Sequence, residues 1–235
     1  MRHQCCRADG IFITHEHGDH VGCALSVAAR HGIPLWMSAG TWRAIEPRTQ
    51  RQLRSDSQPE LEFVPGSRRQ ESMSQLRLNL IRDQDVAAIG DLQLSPFTVP
   101  HDANEPLQLY CTDGAVSLGL LTDLGHVPPY VLRNLQTCNA LLLECNHDTD
   151  LLAQSVYPPF LKRRVGGSHG HLSNMQAADA LQMLMHDRLH TVVAGHLSER
   201  NNRPDLVQMA LSAVLGGAAK DVLYCTPELS PWFNV

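Results

Sequence analysis

Seven residues in four places of this sequence could do chemistry together. The segment Thr14-His15-Glu16-His17-Gly18-Asp19-His20 sets three imidazoles and Asp19 within six residues. Side chains two apart on an extended segment point the same way, so His15 and His17 share a face, while Asp19 and His20 follow on the turn and reach a neighbouring point. His101, Asp123 and His196 each end an apolar run: Phe97-Thr98-Val99-Pro100, residues 118–122 and residues 192–195. A single His or Asp at a strand end is ordinarily a cap or a satisfied core residue. Five His and two Asp in one setting are enough for two adjacent divalent ions, and nitrogen with oxygen donors suits zinc, manganese or iron. Two such cations lower the pKa of a shared water toward neutrality and offset charge on an attacked phosphoryl centre.

Other residues are candidates for the remaining tasks. Asp19 is both a ligand and a catalytic proton acceptor, and His147, His169 and His171 are available to protonate a leaving oxygen, with His171 taken as the catalytic one. Gly166-Gly167-Ser168-His169-Gly170-His171-Leu172-Ser173-Asn174 is glycine-rich and runs into a helix whose first amides favour an anion. Asn146, His147, His169, Ser173 and Lys162 are the expected substrate contacts. The plainer reading is a loop in which Ser173 or Asn174 caps the helix. Lys162-Arg163-Arg164 and Arg43, Arg48, Arg51 and Arg54 could hold a phosphate backbone or simply form solvated faces. His3, His31, His126, His186 and His190 have no ligand context.

The elements that must position these residues follow from pattern. Residues 10–14 read as a short strand ending at the histidine cluster, and residues 21–30 as a helix stopped by His31-Gly32-Ile33-Pro34. A brief strand at 35–37 precedes a helix capped by Ser38, and residues 47–66 are polar surface. Residues 76–81, 91–99, 107–111 and 116–121 read as strands of a meander. From Val127 onward, helices at 128–135, 158–165, 174–189 and 204–215 alternate with strands at 140–143, 191–194 and 222–225, which implies sheets covered by helices. The expectation is one α/β (α+β) domain spanning 1–235.

With 43% hydrophobic and 18% charged residues, the chain has the composition of a soluble globular protein, and no stretch has the roughly 18 apolar residues of a membrane helix. Its 7 cysteines are odd in number and lack a CxxC pair, as suits reduced thiols in a cytoplasmic protein. A net charge of −5 argues against a generally nucleic-acid-coated surface but leaves room for a local basic patch.

The pattern His15-x-His17-x-Asp19-His20, then His101, Asp123 and His196, resembles the metallo-β-lactamase superfamily. His101-Asp102-Ala103, Glu144-Cys145-Asn146-His147-Asp148, Tyr157-Pro158 with Leu161-Lys162, Gly170-His171-Leu172-Ser173-Asn174 and the run from His196 to Asn202 are similar to its YycJ/WalJ-type group, which is associated with exonuclease activity. The resemblance implies an αββα sandwich. It also implies that His15, His17 and His101 hold one metal, that Asp19, His20 and His196 hold the other, and that Asp123 bridges them. A bridging carboxylate favours phosphodiester or thioester chemistry over lactam hydrolysis. Relatives of this kind carry two further strands upstream, so the expectation here is either a misplaced start or an N-terminally truncated fold. The leading expectation is a phosphodiesterase or exonuclease on nucleic acid, with DNA favoured, no membrane contact and a homo-oligomer allowed. The alternatives are a small-molecule phosphodiesterase and an inactive metal-binding protein.

Overall fold

The computed structural model describes residues 8–46 and 76–216, together with the backbone of 222–224. It falls into two compact units: one is formed by residues up to Asp91 with Ala103–Leu107, the other by Leu92–Asp102 with the chain from Gln108 onward. The basic positions Arg48, Arg51 and Arg54, and His3, lie outside the described residues.

The first unit is built around three parallel strands, β1 (Ile11–Phe12), β2 (Leu35–Met37) and β3 (Leu78–Leu80), with β2 in the middle. The expected helix at 21–30 is divided into α1 (Gly18–Val21) and α2 (Ala24–His31), because Gly22 takes φ 42° and ends the first turn. A further helix, α3, follows at residues 39–46, and Ser38 caps it as expected, its Oγ accepting from Thr41 N at 3.0 Å. Ile13, Ala28, Leu35, Met37 and Ile45 form the core of this unit. The segment 103–107 is tied to it by Leu107 N donating to Thr14 O at 3.0 Å and by Gly40 N donating to Glu105 Oε2 at 2.7 Å. A strand absent from the sequence expectation, β4 (Ala87–Ile89), also falls within this stretch of chain but not within the three-stranded sheet.

The second unit holds β5 (Leu92–Thr98), β6 (Leu107–Thr112), β7 (Ser117–Leu121), β8 (Ala140–Glu144), β9 (Thr191–Gly195) and β10 (Val222–Tyr224), in the order β10-β9-β8-β7-β6-β5. Pairings from β7 to β10 are parallel and β6 is antiparallel to β7. Parallel neighbours need crossovers, and these are supplied by α4 (Pro129–Leu135), α5 (Thr149–Gln154), α6 (Pro159–Val165), α7 (Asn174–Leu184) and α8 (Pro204–Leu215). Proline occupies the first turn of α4, α6 and α8, where its missing N–H has no intrahelical partner to lose. The helix expected over 174–189 ends at Leu184, and α5 has no counterpart in the sequence expectation.

The apolar alternation in β7 (Ser117, Gly119 and Leu121 inward) and the continuous run in β8 bury one core with Phe97, Leu124, Val131, Leu172, Leu181 and Leu211. Leu141 sits at its centre on β8, fully buried. Leu141→Ala removes that contact in a sheet too packed to collapse around the gap. The expected loss is about 2–5 kcal/mol of unfolding free energy, read as a lower urea midpoint with an unchanged m-value.

Candidate metal centre

In the first unit, β1 delivers the chain to a turn that converges three imidazoles. His15 Nε2 lies 3.0 Å from His17 Nδ1. Two donors sharing one tetrahedral ion at bonds of roughly 2.0–2.1 Å stand about 3.3 Å apart, so these nitrogens are spaced to share a cation. Thr14 Oγ1 is 3.1 Å from both His15 Nδ1 and His20 Nδ1, which leaves His20 Nε2 as the outward nitrogen of that ring. Asp19 is exposed, with Oδ2 3.7 Å from His20 Nε2. Glu16, between the two leading histidines, turns the other way and is buried, its Oε1 accepting from Asn104 N at 2.7 Å and Asn104 Nδ2 at 2.5 Å.

In the second unit, the ends of β5, β7 and β9 present His101, Asp123 and His196. Asp123 and His196 both take φ 56°, a left-handed backbone that costs a non-glycine residue about 1 kcal/mol or more and that Asp and His tolerate better than most. That bend swings each side chain out of its strand. His196 Nε2 then lies 3.3 Å from Asp123 Oδ1, again the spacing of two ligands on one ion. Donor atoms of Asp123, Glu144, His171 and His196 all fall within 4.8 Å of one another, a set able to hold a divalent cation.

Glu144 is the residue that pattern reading passed over as a functional group. It ends β8 with no exposed surface, and Oε1 accepts from both His171 Nδ1 and His196 Nδ1 at 2.8 Å, while Oε2 accepts from Leu124 N and Leu172 N at 3.2 Å each. Burial pushes its pKa up, but the hydrogen bonds from the two histidines prevail and hold the carboxyl below the usual range. An ionised carboxylate only accepts, so both rings carry their proton on Nδ1 and present a bare Nε2. His101 is fixed the same way, since its Nδ1 donates to Gly170 O at 3.1 Å. Burial lowers the His101 pKa, more than the nearby Asp123 charge raises it, and so favours the neutral ring that a metal needs.

The loop that carries His169 and His171 is tightly seated. A Cβ on Gly125 would stand 2.3 Å from Gly167 O, and one on Gly170 would stand 2.2 Å from Arg164 O and Val165 O. His126 Nδ1 adds a 2.9 Å hydrogen bond to Ser168 O. The anion-binding helix end expected behind this loop is already occupied. Ser173 caps α7 in a capping box with Gln176, and Asn174 N donates to His147 O at 2.9 Å.

Of the other expected substrate contacts, Asn146 and Lys162 are bonded to backbone carbonyls. Asn146 is buried and its Nδ2 donates to His196 O at 3.0 Å, steadying the turn that aims His196. His147 is buried too, and burial lowers its pKa. Lys162 Nζ donates to Ala153 O at 2.6 Å. His169 alone of this group is exposed, beside Ser168 Oγ at 3.1 Å. The signal for Asn146 and Glu144 was their position at the end of β8, which sequence marks without revealing which atoms turn inward.

Comparison with known proteins fits this geometry. The family model described as "Beta-lactamase superfamily domain" matches residues 1–226. The exodeoxyribonuclease YycJ of Bacillus anthracis is 30% identical over 206 residues, covering 88% of this chain and 70% of that protein. The exodeoxyribonuclease WalJ of Streptococcus pneumoniae is 30% identical over 203 residues, covering 86% and 68%. Among solved structures, the metallo-β-lactamase fold protein YhfI of Bacillus subtilis superposes with TM-score 0.63 at 16% identity over 93% of this chain and 74% of its own. Zn(2+)-bound PqqB of Methylobacterium extorquens gives 0.61 at 14% identity, over 95% and 71%. The last two show the fold.

Glu144→Gln tests the arrangement with almost no change of shape. Either orientation of the amide sets an N–H against two donors, the imidazoles or the two backbone amides. Unfolding free energy is expected to fall by about 2 kcal/mol or more. Metal affinity in a chelator competition should fall roughly 10–100-fold. Wild-type values for both would refute the reading of Glu144 as the acceptor that orients His171 and His196.

Proposed function

The chain belongs to the beta-lactamase superfamily and is a metal-dependent hydrolase of that fold, and from that premise we propose that it is a two-metal phosphodiesterase acting as an exonuclease on nucleic acid, DNA ahead of RNA. The observation that carries the reading is the Glu144-held pair His171 and His196 beside Asp123. The exodeoxyribonuclease names of the two relatives support the choice of substrate.

The proposed ligands are His15, His17, Asp19 and His20 from the Thr14 turn, with His101, Asp123 and His196 from the strand ends. Imidazole nitrogen and carboxylate oxygen suit zinc or manganese, with iron as the other choice. Bound divalent ions supply a water acidic enough to ionise near neutral pH and offset charge on the phosphoryl group. His171 has its Nδ1 proton fixed on Glu144 and offers Nε2, the atom that can carry a proton to a leaving oxygen. Glu144 then lies directly behind the ring and fixes its orientation. Asp19, exposed beside His20, is the candidate proton acceptor. His169 contributes an exposed ring for substrate contact, and Asn146 acts through the His196 carbonyl rather than on substrate.

Asp123→Ala removes a buried anion among His101, His171 and His196 and should lower metal stoichiometry and hydrolysis by orders of magnitude. His126→Ala should keep the metal content, because that ring serves only the loop backbone. Full occupancy and near-normal turnover in Asp123→Ala would refute the ligand assignment.

The substrate is tested by giving metal-loaded protein end-labelled DNA and RNA beside a small phosphodiester. An exonuclease shortens the polymers from one end, and DNA should be consumed faster. Intact polymers with turnover of the small compound would replace this reading by a small-molecule phosphodiesterase, and metal uptake without any turnover would leave a binding protein.

A further inference from the structure

α6 presents a surface that the chemistry above does not use. Val156 is 89% exposed just before it and Phe160 is 66% exposed in its first turn, with Tyr157 half-buried between them. The three cations of its last turn are not equivalent. Lys162 is bonded to the Ala153 carbonyl, and Arg164 Nε pairs with Asp102 Oδ2 at 2.5 Å. Arg163 is exposed and makes no ion pair among the described residues. It stands three residues after Phe160, so ring and guanidinium share one face of the helix.

We propose that the Phe160–Arg163 face of α6 is a docking platform for an unpaired nucleic-acid strand, a base stacking on Phe160 while Arg163 holds the adjoining phosphate. This rests on the nuclease reading and names the form of its substrate. A duplex turns phosphates and sugars outward and hides the faces of its bases, whereas an unpaired strand offers both a π-face and a phosphate. The charge matches: a guanidinium with no ion pair among the described residues, on a chain of net charge −5, marks a local site for a polyanion. The location matches as well. The last turn of α6 runs through Gly166–Gly170 to His171, and Arg164 ties the helix to Asp102, the neighbour of His101. The face thus ends in the same unit as Asp123, His171 and His196, one short loop before His171.

The test is equilibrium binding by the full chain, without added metal so that no turnover intrudes. The probes are a labelled unpaired oligodeoxynucleotide, the same sequence as a blunt duplex, and vesicles of phosphatidylcholine with phosphatidylglycerol. The wild type should prefer the unpaired strand. Phe160→Ala should weaken that binding about tenfold or more, and Phe160→Trp should restore it. Arg163→Ala should reduce the log–log salt slope by about one. Met209→Ala, which removes an equally exposed apolar side chain on α8 (69% exposed), should bind as the wild type does. Equal binding by Phe160→Ala, equal affinity for the duplex, or preference for the vesicles overturns the proposal. If the wild type still shortens labelled DNA in that case, the nuclease reading stands without it. If the wild type neither binds nor cuts any polymer, both fall.

Discussion

A carboxylate with no exposed surface, Glu144, is the interaction on which the second unit's chemistry depends. Moving an ionised carboxylate out of water costs several kcal/mol, and the protein offsets that with four N–H donors, two from imidazoles and two from the backbone at Leu124 and Leu172. The four bonds do more than satisfy the charge. They fix the tautomer of two rings, and they join the end of β8 to the segment after Asp123, to the segment after His171, and to the end of β9. Loss of any one donor leaves a buried anion less well met, so the cluster is ordered as a unit rather than residue by residue.

Around that anion the backbone accepts conformations it would otherwise avoid. Asp123 and His196 are left-handed, and Gly125 and Gly170 permit contacts that no Cβ would. Strain of this kind persists only where neighbours over-determine the geometry. Here Leu124 N bonds to Glu144 and Asn146 holds the His196 carbonyl, one support beside each strained residue.

How far this was legible in the sequence follows from which interactions are local. Strand ends and proline-started helices were readable, because periodicity and Pro placement act over a few residues. The histidine turn was readable because spacing by two fixes a shared face. The break at Gly22 is not legible, since one glycine within a helical pattern is often tolerated, and the short α5 and β4 carry too little pattern to declare themselves. Glu144, Asn146 and His147 sat in a quoted motif, yet their tasks depend on partners 20 to 52 residues away in the chain, which spacing alone cannot reveal. The same limit explains Ser173: capping is local and was foreseen as the plainer reading, whereas the occupation of the helix amides by His147 O was not.

The basic turn of α6 shows how structure changes the meaning of a charge run. Lys162-Arg163-Arg164 reads as three equivalent cations, but an exposed pair in water contributes little while a cation already bonded has less to offer a new anion. With Lys162 on a carbonyl and Arg164 on Asp102, one guanidinium of the run is without an ion pair among the described residues, and Arg164 acts instead as a strut between α6 and the residue after His101. A single uncompensated cation holds a phosphate weakly. It discriminates only when a second group reads something else on the same ligand, and the exposed ring of Phe160, one turn back on the same face, is the group placed to do so.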